Sequence, residues 1–428
     1  MRIFLSLFIF ITSLFAYDFK LVKKDGIDGN NTLLVIGGIH GNEPGGYYSA
    51  DILARHYKIL SGHLWVIPNL NAKSIQANKR GVNGDMNRKF ANIDPQDPDF
   101  QIVSDVKSII LDKNVTAIIN LHDGHGFYRE KDYGTIFNPK AWGQTCVIDQ
   151  CEINGSTAFH EMDKIANQVK AKINEKLIDE EHIFNVKNTN TKFDDEEMKH
   201  SLTYFAITHN KPAFAIETSK HLSYTSQKVF YQLNALETFM NIMGIKFERD
   251  FNLTQNEIKQ IIQDDGNITI NGNISLNLNN IKKSLSFIPI KSSDNDFAFS
   301  SDIGSVKAEN GFFGLYVGNK KVSVLHAQES KLCKNKDTNV SIIVDGKTQM
   351  AKFASDIFVN DDFTVVKSKN YRVNVIGYSD KIHKDESGIN IKLSSLDKGY
   401  SVDNTQKRYR VEFCDKNAFC GMVIVNFR

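Results

Sequence analysis

The sequence predicts an α/β domain with a mixed sheet and flanking helices over residues 17–245, followed by two small β-rich, sandwich- or barrel-like domains at 246–335 and 336–428. Two observations carry this prediction. As far as Met243, short apolar runs alternate with segments whose apolar residues recur at helical spacing, the pattern of strands buried between helices. Beyond Gly244 the texture changes to short segments with two-residue alternation and turns between them.

The elements follow in order. Leu33 to Ile36 is a buried strand ending in Gly37-Gly38, and Tyr47 to Tyr57 reads as a helix. Leu64 to Ile67 is a second strand, Ile102 to Leu111 a helix, and Ala117 to Leu121 a third strand, apolar except for Asn120. Phe159 to Leu177 is amphipathic and helical, Ala213 to Ile216 is another buried strand, and Val229 to Met243 closes the domain with a helix. Thr254-Gln255-Asn256-Glu257 then reads as a capping box opening one short helix through Ile262. After it come strands such as Ile274-Leu276-Leu278, Val322 to Leu325, Ile342 to Val344, Tyr371 to Ile376, Tyr409 to Phe413 and Met422 to Phe427. Asp345-Gly346 behind Val344 signals a hairpin. The stretch after 245 exceeds one small β domain, so a boundary is placed near 336, in the polar run Lys331 to Asp337.

Composition excludes several function classes. With 52 basic and 50 acidic residues the formal net charge is +2, and no block of like charge gives a nucleic-acid footprint. Arg2, the apolar stretch Ile3 to Phe15 and then Ala16 fit a secretory signal peptide over 1–16. The stretch is too short to cross a bilayer comfortably, which takes about 20 apolar residues. A retained anchor is the rival reading, since Leu14 sits where a small residue is preferred. The expectation is a periplasmic protein. Among the five cysteines, Cys146 with Cys151 and Cys414 with Cys420 could each close a small loop in an oxidising compartment, leaving Cys333 over; unpaired buried thiols fit equally well. No Cys-x-x-Cys exists, so thiolate zinc sites and thioredoxin-type chemistry drop out.

The strand ending at Ile36 runs into Gly37-Gly38-Ile39-His40-Gly41-Asn42-Glu43-Pro44. An imidazole and a carboxylate from one short loop make a usual zinc pair, and His122, at the end of the third strand, supplies a third ligand from a neighbouring strand end. Alone, a His-x-x-Glu pair is a weak signal, and a lone His122 is more often a hydrogen-bonded loop histidine. The pair gains weight from Arg80 and Asn87-Arg88 between the ligands, since arginine suits bidentate binding of a carboxylate. Glu217 follows the apolar run Ala213 to Ile216 and is placed to take a proton from a water.

Together these residues resemble the zinc metallocarboxypeptidase family over Leu33 to Met243. The resemblance implies one Zn2+ per chain on His40, Glu43 and His122, and Glu217 as the catalytic glutamate. It further implies that Arg80 polarises the scissile carbonyl while Asn87 and Arg88 hold the substrate's terminal carboxylate. The family's active-site tyrosine has no motif here; Tyr204 and Tyr224 are candidates. With a signal peptide and two β modules, the chain is most similar within the family to the cell-shape peptidoglycan D,L-carboxypeptidases of helical bacteria. Those trim muramyl tripeptide by releasing meso-diaminopimelate, and some have glutamine at the position of His40. The implied partner is a peptidoglycan stem peptide as substrate, with cell-wall or shape-complex proteins docking through the β domains and no nucleic acid. The alternatives are an amidohydrolase similar to succinylglutamate desuccinylase and aspartoacylase, or a non-catalytic cell-wall binding protein.

Seven Asn-x-Ser/Thr tripeptides occur, at Asn30, Asn114, Asn154, Asn252, Asn267, Asn273 and Asn339, and all but Asn273 have Asp or Glu two positions earlier. For randomly placed acids that coincidence is on the order of one in 10⁵, a figure softened by the clustering of Asp and Asn in turns. It resembles the acid-extended acceptor of bacterial N-glycosylation, and Asn252 and Asn267, near the domain junction, are the expected sites.

Overall fold

The computed structural model describes residues 18–155, 157–333, 338–379 and 384–428. The expected signal peptide, 1–16, lies outside the described residues. No helix among the described residues is long and apolar enough to cross a membrane.

The first domain is built on seven strands: β1 (Val22–Asp25), β2 (Thr32–Ile36), β3 (His63–Ile67), β4 (Ala117–Gly124), β5 (Thr145–Ile148), β6 (Asn185–Asn188) and β7 (Ala213–Ser219). Their order across the sheet is β1-β3-β2-β4-β7-β5-β6. The central strands β3, β2, β4 and β7 are parallel, β1 and β5 run antiparallel to their inner neighbours, and β6 is parallel to β5, so the sheet is mixed. The main helices are α1 (Pro44–His56), α2 (Phe100–Ile110), α3 (Met162–Asn174) and α4 (Thr225–Ile242). Leu33 to Ile36 are fully buried, as the unbroken apolar run requires of a central strand covered on both faces. Two strands continue past their apolar stretch: β4 carries on through His122 to Gly124, and β7 through Glu217 to Ser219. Ladder hydrogen bonds and burial on both faces override the polar side chains there. Strands β5 and β6 at the sheet's far side are not announced by the sequence pattern.

A short helix, α5 (Gln255–Gln263), packs on α4 and leads into the middle domain. Thr254 caps it by accepting the Glu257 N–H, while the Glu257 carboxylate accepts from Asn252 instead of closing the box on Thr254. The middle domain pairs a three-stranded sheet, centred on Asn267–Ile270, with a four-stranded one. It shares one continuous core with the peptidase sheet. Asp51 on α1 accepts from the Ser301 hydroxyl at 3.1 Å and the Asp302 N–H at 2.7 Å, fixing the two against each other.

The last domain is two packed sheets with their own core. Its first strand pairing comes from Lys331–Leu332, which lies alongside Ala418–Phe419, slightly ahead of the boundary drawn from composition. Asp345 and Gly346, both at positive φ (48° and 77°), turn Asn339–Val344 into Lys347–Lys352, as the Asp-Gly pair predicts. The cysteine pairing differs from expectation. Cys333 bonds Cys420, and Cys146, Cys151 and Cys414 are free. Cys146 is fully buried in β5 while Cys151 is exposed. Cys414 and Cys420 lie on paired strands, but the ladder shifts register beside Cys414, and the two thiols join different cores.

Candidate active site

The loop from Gly37 to Glu43 leaves β2 and passes directly into α1, with Pro44 in the helix's first turn. A Cβ at Gly41 would lie 2.0 Å from the Ser74 backbone, so the close approach that positions His40 needs a residue without one. His122 comes from β4 and Glu217 from β7, and the parallel register sets these two side by side on adjacent strands. A Cβ at Gly124 would come within 2.8 Å of Glu217 Oε2, so that glycine leaves room for the carboxylate.

His40, Glu43 and His122 converge and are all buried. Glu43 Oε2 is 3.1 Å from His40 Nδ1 and 2.9 Å from His122 Nδ1, and the two Nδ1 atoms are 3.2 Å apart. Tetrahedral ligands at about 2.0–2.1 Å from a zinc ion stand about 3.3–3.4 Å from one another, so this triangle fits such an ion with little adjustment. The outer shell has the usual form as well. His40 Nε2 is 2.8 Å from Asp85 Oδ1, a carboxylate that orients the ring and leaves Nδ1 for a metal. Gln232 Nε2 donates to the His122 carbonyl at 2.9 Å. Asp123, next in β4, accepts from the Gly45 N–H at 2.9 Å and the Thr218 hydroxyl at 2.6 Å, tying together β4, β7 and the start of α1.

The charges are strongly coupled. Burial opposes a charge on His40, yet the Glu43 carboxylate and the bonds to Asp85 and Glu43 raise it to about 9. Burial would raise Glu43, but His40 and His122 hold its carboxyl well below the usual range. His122 is lowered, chiefly by burial. Burial first, and the Glu43 charge second, push Glu217 up to about 8. A divalent cation among the three ligands would displace the His40 proton and offset the Glu43 charge, drawing Glu217 back toward a carboxylate.

The seven residues given a ligand, catalytic or carboxylate-holding role from the sequence all line one cleft of about 330 Å³: His40, Glu43, Arg80, Asn87, Arg88, His122 and Glu217. Arg80 reaches Asp85 Oδ2 at 2.8 Å through Nε and Glu43 Oε1 at 3.3 Å through Nη1. Asn87 accepts the Leu202 N–H on Oδ1 at 3.0 Å, which turns its NH₂ into the group left for a ligand. Arg88 pairs with no carboxylate among the described residues. Tyr204 packs against the core, Tyr224 is exposed, and no tyrosine among the described residues lines the cleft.

A family model described as carboxypeptidase controlling helical cell shape, catalytic, matches residues 1–263, and one described as C-terminal domain of metallo-carboxypeptidase matches 333–428. The chain belongs to this family of metallocarboxypeptidases. Apo Csd4, a cell shape determinant protein from Helicobacter pylori, is similar over 96% of this chain and 100% of its own, at 33% identity and a TM-score of 0.89. The tripeptide-bound form of Csd4 matches over the same shares with the same identity and TM-score. The mDAP-bound form, described as a D,L-carboxypeptidase, matches over 95% and 100% at 33% identity and a TM-score of 0.89. No curated protein sequence matches significantly.

The carboxypeptidase cleft also holds groups that sequence reasoning missed. Lys220, just past β7, donates to Glu43 Oε1 at 3.3 Å. Asp123 directly follows His122, and that adjacency was the signal available; Asp85, five residues from Arg80, had none. Asn120, on the floor of the cleft, is fully buried, and neither side-chain polar atom has a protein partner.

Proposed function

We propose that the chain is a zinc-dependent D,L-carboxypeptidase, exported to the periplasm through residues 1–16, that trims peptidoglycan stem peptides. On this reading it converts muramyl tripeptide to dipeptide by releasing meso-diaminopimelate from the γ-carboxyl of D-glutamate. The observation that carries the reading is the cleft itself: a buried His-Glu-His triangle sized for zinc, with Glu217 beside His122 and an unpaired Arg88 sharing the same walls. The tripeptide- and mDAP-bound forms of Csd4 support the substrate class.

When bound, the ion would act as a Lewis acid and make water a usable nucleophile near neutral pH. Glu217 then takes a proton from the attacking water and returns it to the leaving amine. Arg80 is placed to donate to the carbonyl oxygen as charge develops there, and its bonds to Asp85 and Glu43 preorganise the guanidinium. Arg88 and the Asn87 amide hold the terminal carboxylate, which sets the scissile bond one residue away and makes the enzyme an exopeptidase. With no tyrosine among the described residues lining the cleft, Arg80 and Lys220, both bonded to Glu43 Oε1, stand as donors near the reacting centre.

Digestion of purified muropeptides, with metal content measured on the same preparation, tests the proposal. Tripeptide converted to dipeptide plus free diaminopimelate by a protein holding one zinc is the expected result. Intact tripeptide with zinc present would reject the substrate, and hydrolysis of N-acyl amino acids instead would favour the desuccinylase-like alternative.

A further inference from the structure

Six of the seven Asn-x-Ser/Thr tripeptides carry an acid two positions earlier, and the fold divides them along the same line. The six acid-preceded asparagines, Asn30, Asn114, Asn154, Asn252, Asn267 and Asn339, are all exposed. Asn273, the exception, is half-buried, and its amide donates to the Cys420 carbonyl at 3.2 Å across the junction of the last two domains.

The bland explanation is an Asx turn, in which an Asp carboxylate accepts the N–H two residues on. It holds at Asn114, whose N–H goes to Asp112 Oδ1 at 2.9 Å. It does not hold at Asn252 or Asn267. The Asn252 N–H goes to Glu257 at 2.7 Å and the Asn267 N–H to the Ser300 hydroxyl at 2.9 Å. Asp250 instead pairs with His56, and Asp265 with Lys320.

Accessibility of the whole tripeptide separates these two. Asn267 sits on the central strand of a three-stranded sheet, with Ile268 buried beside it. Asn252 and Thr254 are both exposed, in the irregular segment between Lys246–Arg249 and α5, and none of this segment lines the catalytic cleft. The Asn252 amide donates one hydrogen to Glu257 Oε1 at 2.8 Å, and an N-linked sugar replaces only one of its two hydrogens. The cap of α5 is therefore compatible with a glycan.

We propose that Asn252 is an N-glycosylation site, with Asp250 read as part of the acceptor. The co-reactant is an oligosaccharide linked through pyrophosphate to a lipid carrier, used by a membrane oligosaccharyltransferase. The bond from the sugar's anomeric carbon to the pyrophosphate oxygen breaks, a bond from that carbon to Asn252 Nδ2 forms, the pyrophosphate leaves with the electron pair, and the amide gives up one proton. The proposal rests on the reading that the chain is exported.

The test is intact-mass and peptide-mass analysis of full-length protein purified from its native host. The expected result is a chain beginning after Ala16 with an oligosaccharide on the peptide containing Asn252. Asn252→Gln should lose one copy of that mass, and Asp250→Asn should lose most of it with the melting temperature unchanged. An unmodified Asn252 peptide, or full occupancy in Asp250→Asn, would overturn the proposal. Fractionation of the same cells keeps the two readings apart: exported protein with a bare Asn252 rejects glycosylation alone, while unmodified protein confined to the cytoplasm rejects export with it.

Discussion

The peptidase cleft and the C-terminal sandwich use the same residue types for opposite purposes. In the sandwich, Asp345 turns a hairpin, and its carboxylate is consumed by the backbone N–H groups of Asn360 at 3.0 Å and Asp361 at 2.8 Å, which hold it at about 2. In the cleft, Glu217 is the one half-buried residue of an otherwise buried strand, its carboxylate makes no hydrogen bond to a described residue, and it is pushed up to about 8. Asn87 and Arg88 likewise keep donors unspent. Polar groups that serve the fold are satisfied by the fold, whereas those that serve a ligand are held in place by neighbours and left open.

The comparison breaks most visibly at the metal. His122→Ala should abolish both bound metal and hydrolysis while the far-ultraviolet circular dichroism stays that of wild type, because β4 is held by its ladder to β2 and β7. Stoichiometric metal in the mutant would remove His122 from the ligand set. Glu217→Gln comes next. It keeps shape and loses basicity, so substrate affinity should survive while turnover falls by roughly 10²–10⁴. Near wild-type turnover would show that the open carboxylate is not the base.

The clamp sharpens the contrast at a smaller scale. A stem peptide amidated at its terminal carboxyl loses one charge-assisted contact to Arg88, which should cost about 1.5–3 kcal/mol in kcat/KM. Arg88→Ala should cut free-acid and amidated substrates to the same low rate. If wild type already cleaves both equally, Arg88 does not read the carboxylate.

The legibility of the chain follows the same divide. His40, Glu43, His122 and Glu217 were readable because each follows the end of a largely apolar run, and parallel strands gather such positions at one end of a sheet. Asp85 and Lys220 were not, since nothing in linear spacing says that a carboxylate will reach His40 or an ammonium Glu43. Strand β6, Asn185–Asn188, is half-buried along its length and carries no periodicity to read. The cysteine pairing failed for a related reason. Nearness in sequence suggested Cys414 with Cys420, but the partner, Cys333, is brought in over a separation of 87 residues by the parallel pairing of Lys331–Leu332 with Ala418–Phe419. Tertiary pairing decides such contacts, and local pattern does not carry it.

The smallest expected effect lies in the sandwich, and its sign is fixed by the carboxylate. Asp345→Asn keeps a residue suited to the positive φ of the turn and removes the charge together with one of the two oxygens that accept from Asn360 and from Asp361 and Asp362. The folded value, about 2, lies below the unfolded value of about 3.9. The charge therefore stabilises the fold above about pH 4 and loses that contribution as pH falls toward 2. Wild type should melt slightly higher than Asp345→Asn at pH 7, with the gap narrowing steadily from pH 4 downward and muropeptide turnover at pH 7 equal in the two proteins. A gap that stays constant down to pH 3 or below would mean the mutation acts through the lost acceptor oxygen or the turn's shape and not through the charge. A change in turnover would mean that the sandwich is coupled to the cleft through the first core, to which its last strand contributes Phe419, Met422 and Ile424.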